Sequence, residues 1–521
     1  MSRLLTMNPV HARPLNRRFV AARSGPMWSR GLRLGCLLLL LAMTGSARAV
    51  VYEVGPGRLL TETDQVPWHL LQPGDLVRIH WREQPYRSKW VIARAGTETQ
   101  PILIQGVPGA GGARPLIDGE NATTPSTLDY WNEARGVVKI GGASVPAGPA
   151  RHLIIESLDI RGAHPDHQFL DHDGNPQRYT SNAASIHVED GQHVILRDCV
   201  LRDSGNGLFV SSPSEAITLE HSQVHSNGIA GSQFQHNAYS EALGMLYQFN
   251  RFGPLRAGAS GNNLKDRSAG LVVRYNWIED GNRQLDLVDS SHFSSHPEYR
   301  TTLVYGNVLV EHDGQGNRQI VHYGGDGGNQ DDYRKGDLYF YHNTVVSERS
   351  GRATLFRLSS NDEHADIRAN VFFHAGPAGS LELATTAGEH EFRDNWLSGG
   401  FVHTFDSGFT GSVALLGGLI GRDPGFSDRS SQDYRPRSDS VLAARGSPLA
   451  PAVSAEHQPV QGYVMHAGAE TRQDGQARAW GALAARPPEV ATPAVPALSV
   501  PVGLGLALSL LILACGSVRP G

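Results

Sequence analysis

The sequence predicts an all-β fold, one chain wound into a single-stranded right-handed parallel β-helix, and three observations point to it. Short stretches of alternating apolar residues recur through the middle of the chain, most of them closed by Asn or a small polar residue. Copies return at intervals of roughly 23 to 36 residues, a period at which repetition means a stacked array. Glycine is abundant, 59 of 521 residues, and long helix-period patterns are absent, so the apolar periodicity is that of strands and turns.

In chain order, the first segment stands outside the repeat. Residues 1–33 carry many arginines and no acidic residue, and the apolar run LGCLLLLLAMTGSARA closes on Ala47-Arg48-Ala49. A basic flank, a short apolar core and a small-x-small site describe a secretory signal peptide over residues 1–49. Met27, which opens MWSRGLRLGC, is the more natural start. The apolar run is short for the roughly 20 residues that a membrane span needs, so the expectation is export.

Residues 50–450 form the predicted helix domain. MLYQFNRF, LVVRYNWI, LVYGNVLV, YFYHNTVV, DIRANVFF and EFRDNWLS bring Asn250, Asn276, Asn307, Asn343, Asn370 and Asn395 into one column. Earlier copies place Ser222, Cys199 and Leu158 there. Alternation argues strand, and Asn or Gly after a short strand argues turn. One such pair cannot bury its own apolar face, so the copies must stack, with Val, Ile and Leu columns inside. Side-chain amides stacked in a bend can bond one another and satisfy its polar groups, so the Asn column is structural.

Past the repeat come a C-terminal extension over 451–485, a Pro-rich linker over 486–501 and the apolar run VGLGLALSLLILACGSV over 502–518. The last two read as a tail anchor or sorting signal that tethers an exported chain to a membrane at the cell envelope. They resemble bacterial C-terminal sorting tails, although only Arg519 follows the apolar run. Of the 3 cysteines, Cys36 and Cys515 lie in these end segments and Cys199 stands alone, so no disulfide forms within the domain. The net charge of −5 carries no electrostatic footprint of a nucleic-acid binder. The chain reads as a monomer.

Three long excursions between copies, 162–185, 251–270 and 322–337, are the expected walls of a groove on one sheet. The second contains GNNLKDRSAG, in which Lys265 and Arg267 are two apart and project to the same side of an extended segment. Removal of a proton beside a carboxylate needs a base, a clamp for the growing charge and a donor to the leaving oxygen. Lys265 is the candidate base, since a lysine pKa falls beside a second cation while that of arginine stays high. Arg267 is the candidate clamp. Tyr239 or His236, from QHNAYSE one coil earlier, is the candidate donor. Asn237, Asn262, Asn263 and His322 complete the set as substrate-binding candidates. Two other readings remain open: a non-catalytic grip on an acidic glycan, and plain ion pairing with Asp266, Glu279 or Asp286.

Resemblance sharpens these expectations. The opening stretch with LLQPGDLVRIHW, and DPGFSDRSSQDYRPRSDSVLAARGSPL at 423–449, look like the first and last coils of secreted polysaccharide-active, pectate-lyase-like solenoids. The stretch around Lys265 resembles the alginate and chondroitin lyase β-helices, in which a Lys-Ser pair precedes a strand ending in an Asn such as Asn276. Counted back from Asn276, the family lysine falls on Arg267; matched by side chain it falls on Lys265. The family's acidic calcium ligands would fall near Ser260 and Asn262, and its Arg-His-Gly arginine near Val288, where this chain has other residues. A set of uncharacterised β-helices with an N-x-K-x-R-[SA]-A element matches more closely and implies no activity. The Asp-rich turns DHDGNP (171–176) and GGDGGNQDD (324–332) invite Ca2+, yet neither follows the twelve-residue calcium loop. His152, His187, His236, His312, His322 and His342 show no metal-ligand spacing, and no carboxylate pair for glycoside hydrolysis stands out. The resemblance implies a polysaccharide lyase acting by β-elimination; the alternative is a non-catalytic surface carbohydrate-binding or structural protein.

Overall fold

A computed structural model describes residues 49–443, 445–473 and 478–485, and within them the chain is a right-handed parallel β-helix. Three long sheets run along it. The first has 13 strands, from Val51–Val54 to Ser412–Leu416; the second has 10, from Trp90–Ile92 to Leu381–Thr386; the third has 11, from Leu116–Asp118 to Leu419–Gly421. Coils that run through all three sheets contribute one strand to each, and neighbouring strands along each sheet pair in parallel. The expected signal peptide and the C-terminal linker and tail lie outside the described residues. Among those described, no helix is long and apolar enough to cross a membrane.

Alternation builds the core. Ile155, Leu196, Leu219, Tyr247, Val273 and Val304 stand in direct register through the first sheet, and each is fully buried. The flanking residues on each strand turn outward, as period two requires. Cys199 is buried among this core without a disulfide.

The Asn column is a continuous ladder. Asn250 donates its backbone N–H to Asn276 Oδ1 at 3.0 Å, Asn276 to Asn307 at 2.9 Å, Asn307 to Asn343 at 2.9 Å, Asn343 to Asn370 at 2.8 Å and Asn370 to Asn395 at 2.9 Å. Each Nδ2 reaches the same oxygen of the next rung and also a strand carbonyl, as Asn307 Nδ2 does with Val273 at 2.9 Å. The residue before each Asn is left-handed, Phe249 at φ 57°, Tyr275 at 56° and Ala369 at 53°, a conformation costly for an L side chain. The ladder offsets that cost by satisfying the buried polar groups of every bend. It continues upward as Ser222 N–H to Asn250 Oδ1 and Cys199 N–H to Ser222 Oγ, both 3.0 Å.

Residues beyond the last coil return over the outside. The outward row Trp277, Val308, Val371 and Trp396 of the third sheet lies under Phe426, Tyr434, Tyr463 and Trp480. Leu449, Ala450 and Val453 cover Tyr275, Tyr305 and Tyr341, and His221 Nδ1 meets Ala467 O at 2.9 Å.

Candidate functional site

The site lies on the outer face of the second sheet. Tyr239, Lys265, Asp286, His322 and Arg357 come from five successive strands and occupy one register column. Their inward neighbours Leu264, Leu285 and Val321 are in the core, so alternation alone presents the polar row outward. The Gly-rich excursion after Tyr323 folds over the row. Asp289 draws it down by accepting the N–H groups of Asp326, at 2.7 Å, and Gly327, at 3.1 Å. A Cβ on Gly327 would fall 2.6 Å from Asp289 Oδ2, so a larger residue there would push that carboxylate aside. Arg334 closes the excursion, fully buried against Asp266 at 3.1 Å.

Under this cover Lys265 and Arg267 act as one fork. Lys265 Nζ pairs with Asp286 Oδ2 at 3.0 Å and, more closely still, with Asp326 Oδ2. Arg267 Nη2 takes the other oxygen of Asp326 at 3.0 Å, and Nη1 pairs with Asp289 at 3.1 Å. A single carboxylate, Asp326, therefore bridges the two cations. Arg267 Nε also donates to the Tyr239 hydroxyl at 3.0 Å.

This environment reverses the expected protonation of Lys265. Burial would lower its pKa, but Asp286 and Asp326 outweigh burial and raise it. Arg267 does not depress the lysine enough to free a base, because the two carboxylates raise it by more than burial and the guanidinium together lower it. Arg267 is likewise held charged: burial opposes the charge, and Tyr239, Asp289 and Asp326 more than compensate. Burial would raise the Asp286 carboxyl, yet His322, Lys265 and Arg283 hold it well below the usual carboxylate range.

The histidines are neutral. Burial, with Lys265 adding to it, pushes His236 down to about 3. Its Nδ1 accepts the Asn262 N–H at 2.9 Å, which leaves the proton on Nε2. A proton-donating imidazolium is thus absent from this site at neutral pH. His322 is also lowered by burial. Its Nδ1 lies 2.7 Å from Asp286 Oδ1 and its Nε2 lies 2.9 Å from Ser359 Oγ. Ionised Asp286 can only accept, so Nδ1 carries the hydrogen and Nε2 is an acceptor. Ser359 Oγ also accepts the Gly325 N–H at 3.0 Å and lies 2.8 Å from Gly325 O, so its one proton is shared between that carbonyl and His322 Nε2.

Three substrate-binding expectations need correction. Asn237 and Asn263 are fully buried and form a second amide ladder: Asn227 Nδ2 donates to Asn237 at 3.0 Å, and Asn237 Nδ2 to Asn263 at 2.8 Å. They face the bend between sheets, where backbone groups need partners, and cannot reach a ligand. His322 is equally inaccessible and orients Asp286 from the next coil. Asn262, in contrast, donates to Asp286 at 2.6 Å at the edge of the cluster. The plain ion-pairing expectation holds for Asp286; Asp266 faces inward to Arg334, and Glu279 pairs with Arg251 at 3.0 Å. The residues missing from the expected site are Asp289, Asp326 and Arg283. Asp286 and Asp289 stand in LDLVDS, where a charge in a strand-like run marks an outward position.

The Asp-rich turns are occupied by their own chain. Asp171 accepts Asn175 N–H at 2.8 Å and Gln177 Nε2 at 2.9 Å, and Asp326 holds the fork. Among the described residues no group of three or more His, Cys, Asp or Glu is arranged to hold an ion.

No protein-family description matches the sequence, and no curated protein does. Solved structures with a similar course of the chain include a GH136 lacto-N-biosidase from Eubacterium ramulus, at 12% identity over 71% of this chain and 68% of that one, with a TM-score of 0.42. The PfbA surface adhesin of Streptococcus pneumoniae matches at 9% identity over 67% and 84%, with a TM-score of 0.40. A PL6 polysaccharide lyase from Pseudopedobacter saltans matches at 11% identity over 73% and 94%, with a TM-score of 0.36. Likenesses this distant carry no argument about what the chain does.

Proposed function

We propose that this chain, exported and held at the cell envelope, engages an acidic polysaccharide on the outer face of the second sheet and grips a sugar carboxylate between Lys265 and Arg267. One observation carries the reading: the fork already holds a carboxylate, Asp326, with one oxygen on each cation. A uronate carboxylate has the same shape and charge. Exchange leaves the balance of Lys265, Arg267 and Arg283 against Asp286, Asp289 and one further carboxylate unchanged, so it strands no buried charge. Asp326 is the most exposed carboxylate of the three and can leave by rotating its own side chain.

A second reading, cleavage by β-elimination, is favoured by the Tyr239 hydroxyl bonded to Arg267 Nε at 3.0 Å. A uronate clamped by the fork has its acidic carbon near that oxygen. In this version Lys265 and Arg267 neutralise the developing charge, and Tyr239, in place of Lys265, exchanges the protons: one leaves C5, the C4–O bond breaks, a C4=C5 bond forms and the departing oxygen is protonated.

The test incubates the chain with polygalacturonate, alginate and chondroitin sulfate, with and without calcium, and measures both binding and the ultraviolet absorbance of unsaturated uronate. Binding that Arg267→Ala weakens by about tenfold or more supports the grip. Absorbance that rises in the native chain and is lost in Tyr239→Phe adds elimination. Binding unaffected by both Arg267→Ala and Lys265→Ala overturns the site.

A further inference from the structure

Beside the fork runs a groove that the grip leaves unused. Two adjoining cavities of about 490 Å³ each share Arg318, Gln319 and Arg352. The first adds Arg283 and Arg349 and the second adds Arg357, so five arginines line one channel. They come from consecutive coils. Arg283 and Arg318 precede the strands Leu285–Leu287 and Gln319–Tyr323, Arg352 precedes Ala353–Leu358 and Arg357 lies within it. Strands stacked in parallel are about 4.8 Å apart, so three consecutive coils set these guanidinium groups along the helix axis, with Arg349, Arg352 and Arg357 on the last of the three. Gln319 Oε1 accepts both Nε and Nη2 of Arg283, at 3.0 and 2.9 Å, which fixes the first of them.

Acidic partners do not keep pace. Arg283 meets Asp286 at 3.4 Å, Arg349 meets Glu311 at 3.3 Å and Arg318 stands 4.0 Å from Glu382. Asp406, the acid among the lining residues, accepts Gly408 N–H at 2.8 Å and Thr386 N–H at 3.1 Å. Among the described residues Arg352 and Arg357 meet no carboxylate; Arg352 lies over the Phe405 ring at 4.0 Å. Separate solvated arginines would repel into open solvent. Here the stacked coils hold them side by side so that their positive fields add, and guanidinium forks match carboxylate and sulfate oxygens in pairs.

We infer that this arginine groove binds a linear glycan bearing an anionic group on successive sugars, and holds the part of that chain extending from the Lys265–Arg267 fork toward the C-terminal coils. The inference rests on the glycan-binding reading above and adds to it a site, a direction along the axis and a demand for repeated charge. Arg283 joins the two regions, since it lines the groove and pairs with Asp286.

Affinity electrophoresis and titration calorimetry of the full chain against polygalacturonate, dextran sulfate, neutral dextran and duplex DNA, over a range of salt, test it. The expected result is binding to a polyanionic glycan, with none to neutral dextran. Arg352→Ala/Arg357→Ala should weaken that binding by about tenfold and flatten its salt dependence. Arg352→Glu/Arg357→Glu should weaken it further, with the thermal midpoint of both variants unchanged. Preference for polygalacturonate assigns carboxylate as the repeated group; preference for dextran sulfate assigns sulfate. Native affinity in both double variants overturns the groove, and the fork reading stands if Arg267→Ala alone reduces binding. Loss in the double variants with native affinity in Arg267→Ala keeps the groove and removes the fork. Failure of the native chain to bind any polyanion removes both, and tighter binding to duplex DNA than to either glycan at equal salt overturns the ligand class.

Discussion

At the scale of the residue, Asp326 governs the site, because its carboxylate occupies the place that a ligand carboxylate would take. Asp326→Asn keeps the shape, removes the competing charge and leaves Lys265 and Arg267 with an excess of positive charge. Affinity for polygalacturonate should rise by about three- to tenfold, on the order of 1 kcal/mol, as read by calorimetry; a fall would make Asp326 part of the ligand contact instead. Binding by the native chain should be flat between pH 6 and 9. Lys265 has a raised pKa, so its charge persists to higher pH than for a free lysine, and His236, pushed down to about 3 by burial, has already lost its proton throughout that range. Lys265 and Arg267 were legible in the sequence because spacing puts them on one side of a strand. The protonation of Lys265 was not, since it depends on Asp286 from the next coil and Asp326, 61 residues away.

At the scale of the element, the Asn ladder is the device that repeats the bend. Asn307→Ala would remove the acceptor of the Asn276 N–H and Nδ2, at 2.9 and 3.0 Å, and the donor to Val273 and Asn343. Leaving buried donors unpaired costs about 1–3 kcal/mol for each group, so the variant should lose about 2–4 kcal/mol. Asn395→Ala, at the last rung, should lose less, because Asn395 passes its amide to Ile367 and to no further Asn. Thermal melts rank the two, and hydrogen exchange should quicken first in the coils flanking residue 307, as expected of a stack held by nearest neighbours. Equal losses at both positions would mean that the rungs act independently. This ladder was readable because six Asn recur in phase. The ladder of Asn227, Asn237 and Asn263 was not, because an excursion of variable length precedes Asn237 and Asn263 and hides the period; the same irregularity made them look like groove residues. Excursions carry no periodicity, so which sheet they cover is decided only by contacts such as Asp289 with Gly327.

At the scale of the whole molecule, three sheets close the interior but leave apolar rows facing out, and the segment after the last coil must cover one of them. A boundary at residue 450, which composition suggests, cuts through that cover. Trp480 is buried, donates its indole N–H to Gly446 O at 3.0 Å and packs with Trp277 and Trp396 in one cluster. Gly481 N–H bonds Ala369 O at 2.8 Å, and Ala482 N–H bonds Thr344 Oγ1 at 3.0 Å, so the end of this segment is sewn to the third sheet. Removing it would expose a contiguous aromatic and aliphatic strip, the kind of patch that soluble proteins seldom leave bare. Trp480→Ala should therefore cost about 3–5 kcal/mol, and a chain ending at residue 450 should bind a hydrophobic dye, aggregate on warming and melt below a chain ending at 485. The order matters: the substitution must destabilise without changing the groove, because Trp480 lies on the third sheet and the fork on the second. If both shortened and substituted chains melt as the native one does, the segment only rests on the helix. If they lose stability while binding polygalacturonate as before in the cold, the segment is a structural cover, and the solenoid needs it to remain a separate soluble molecule.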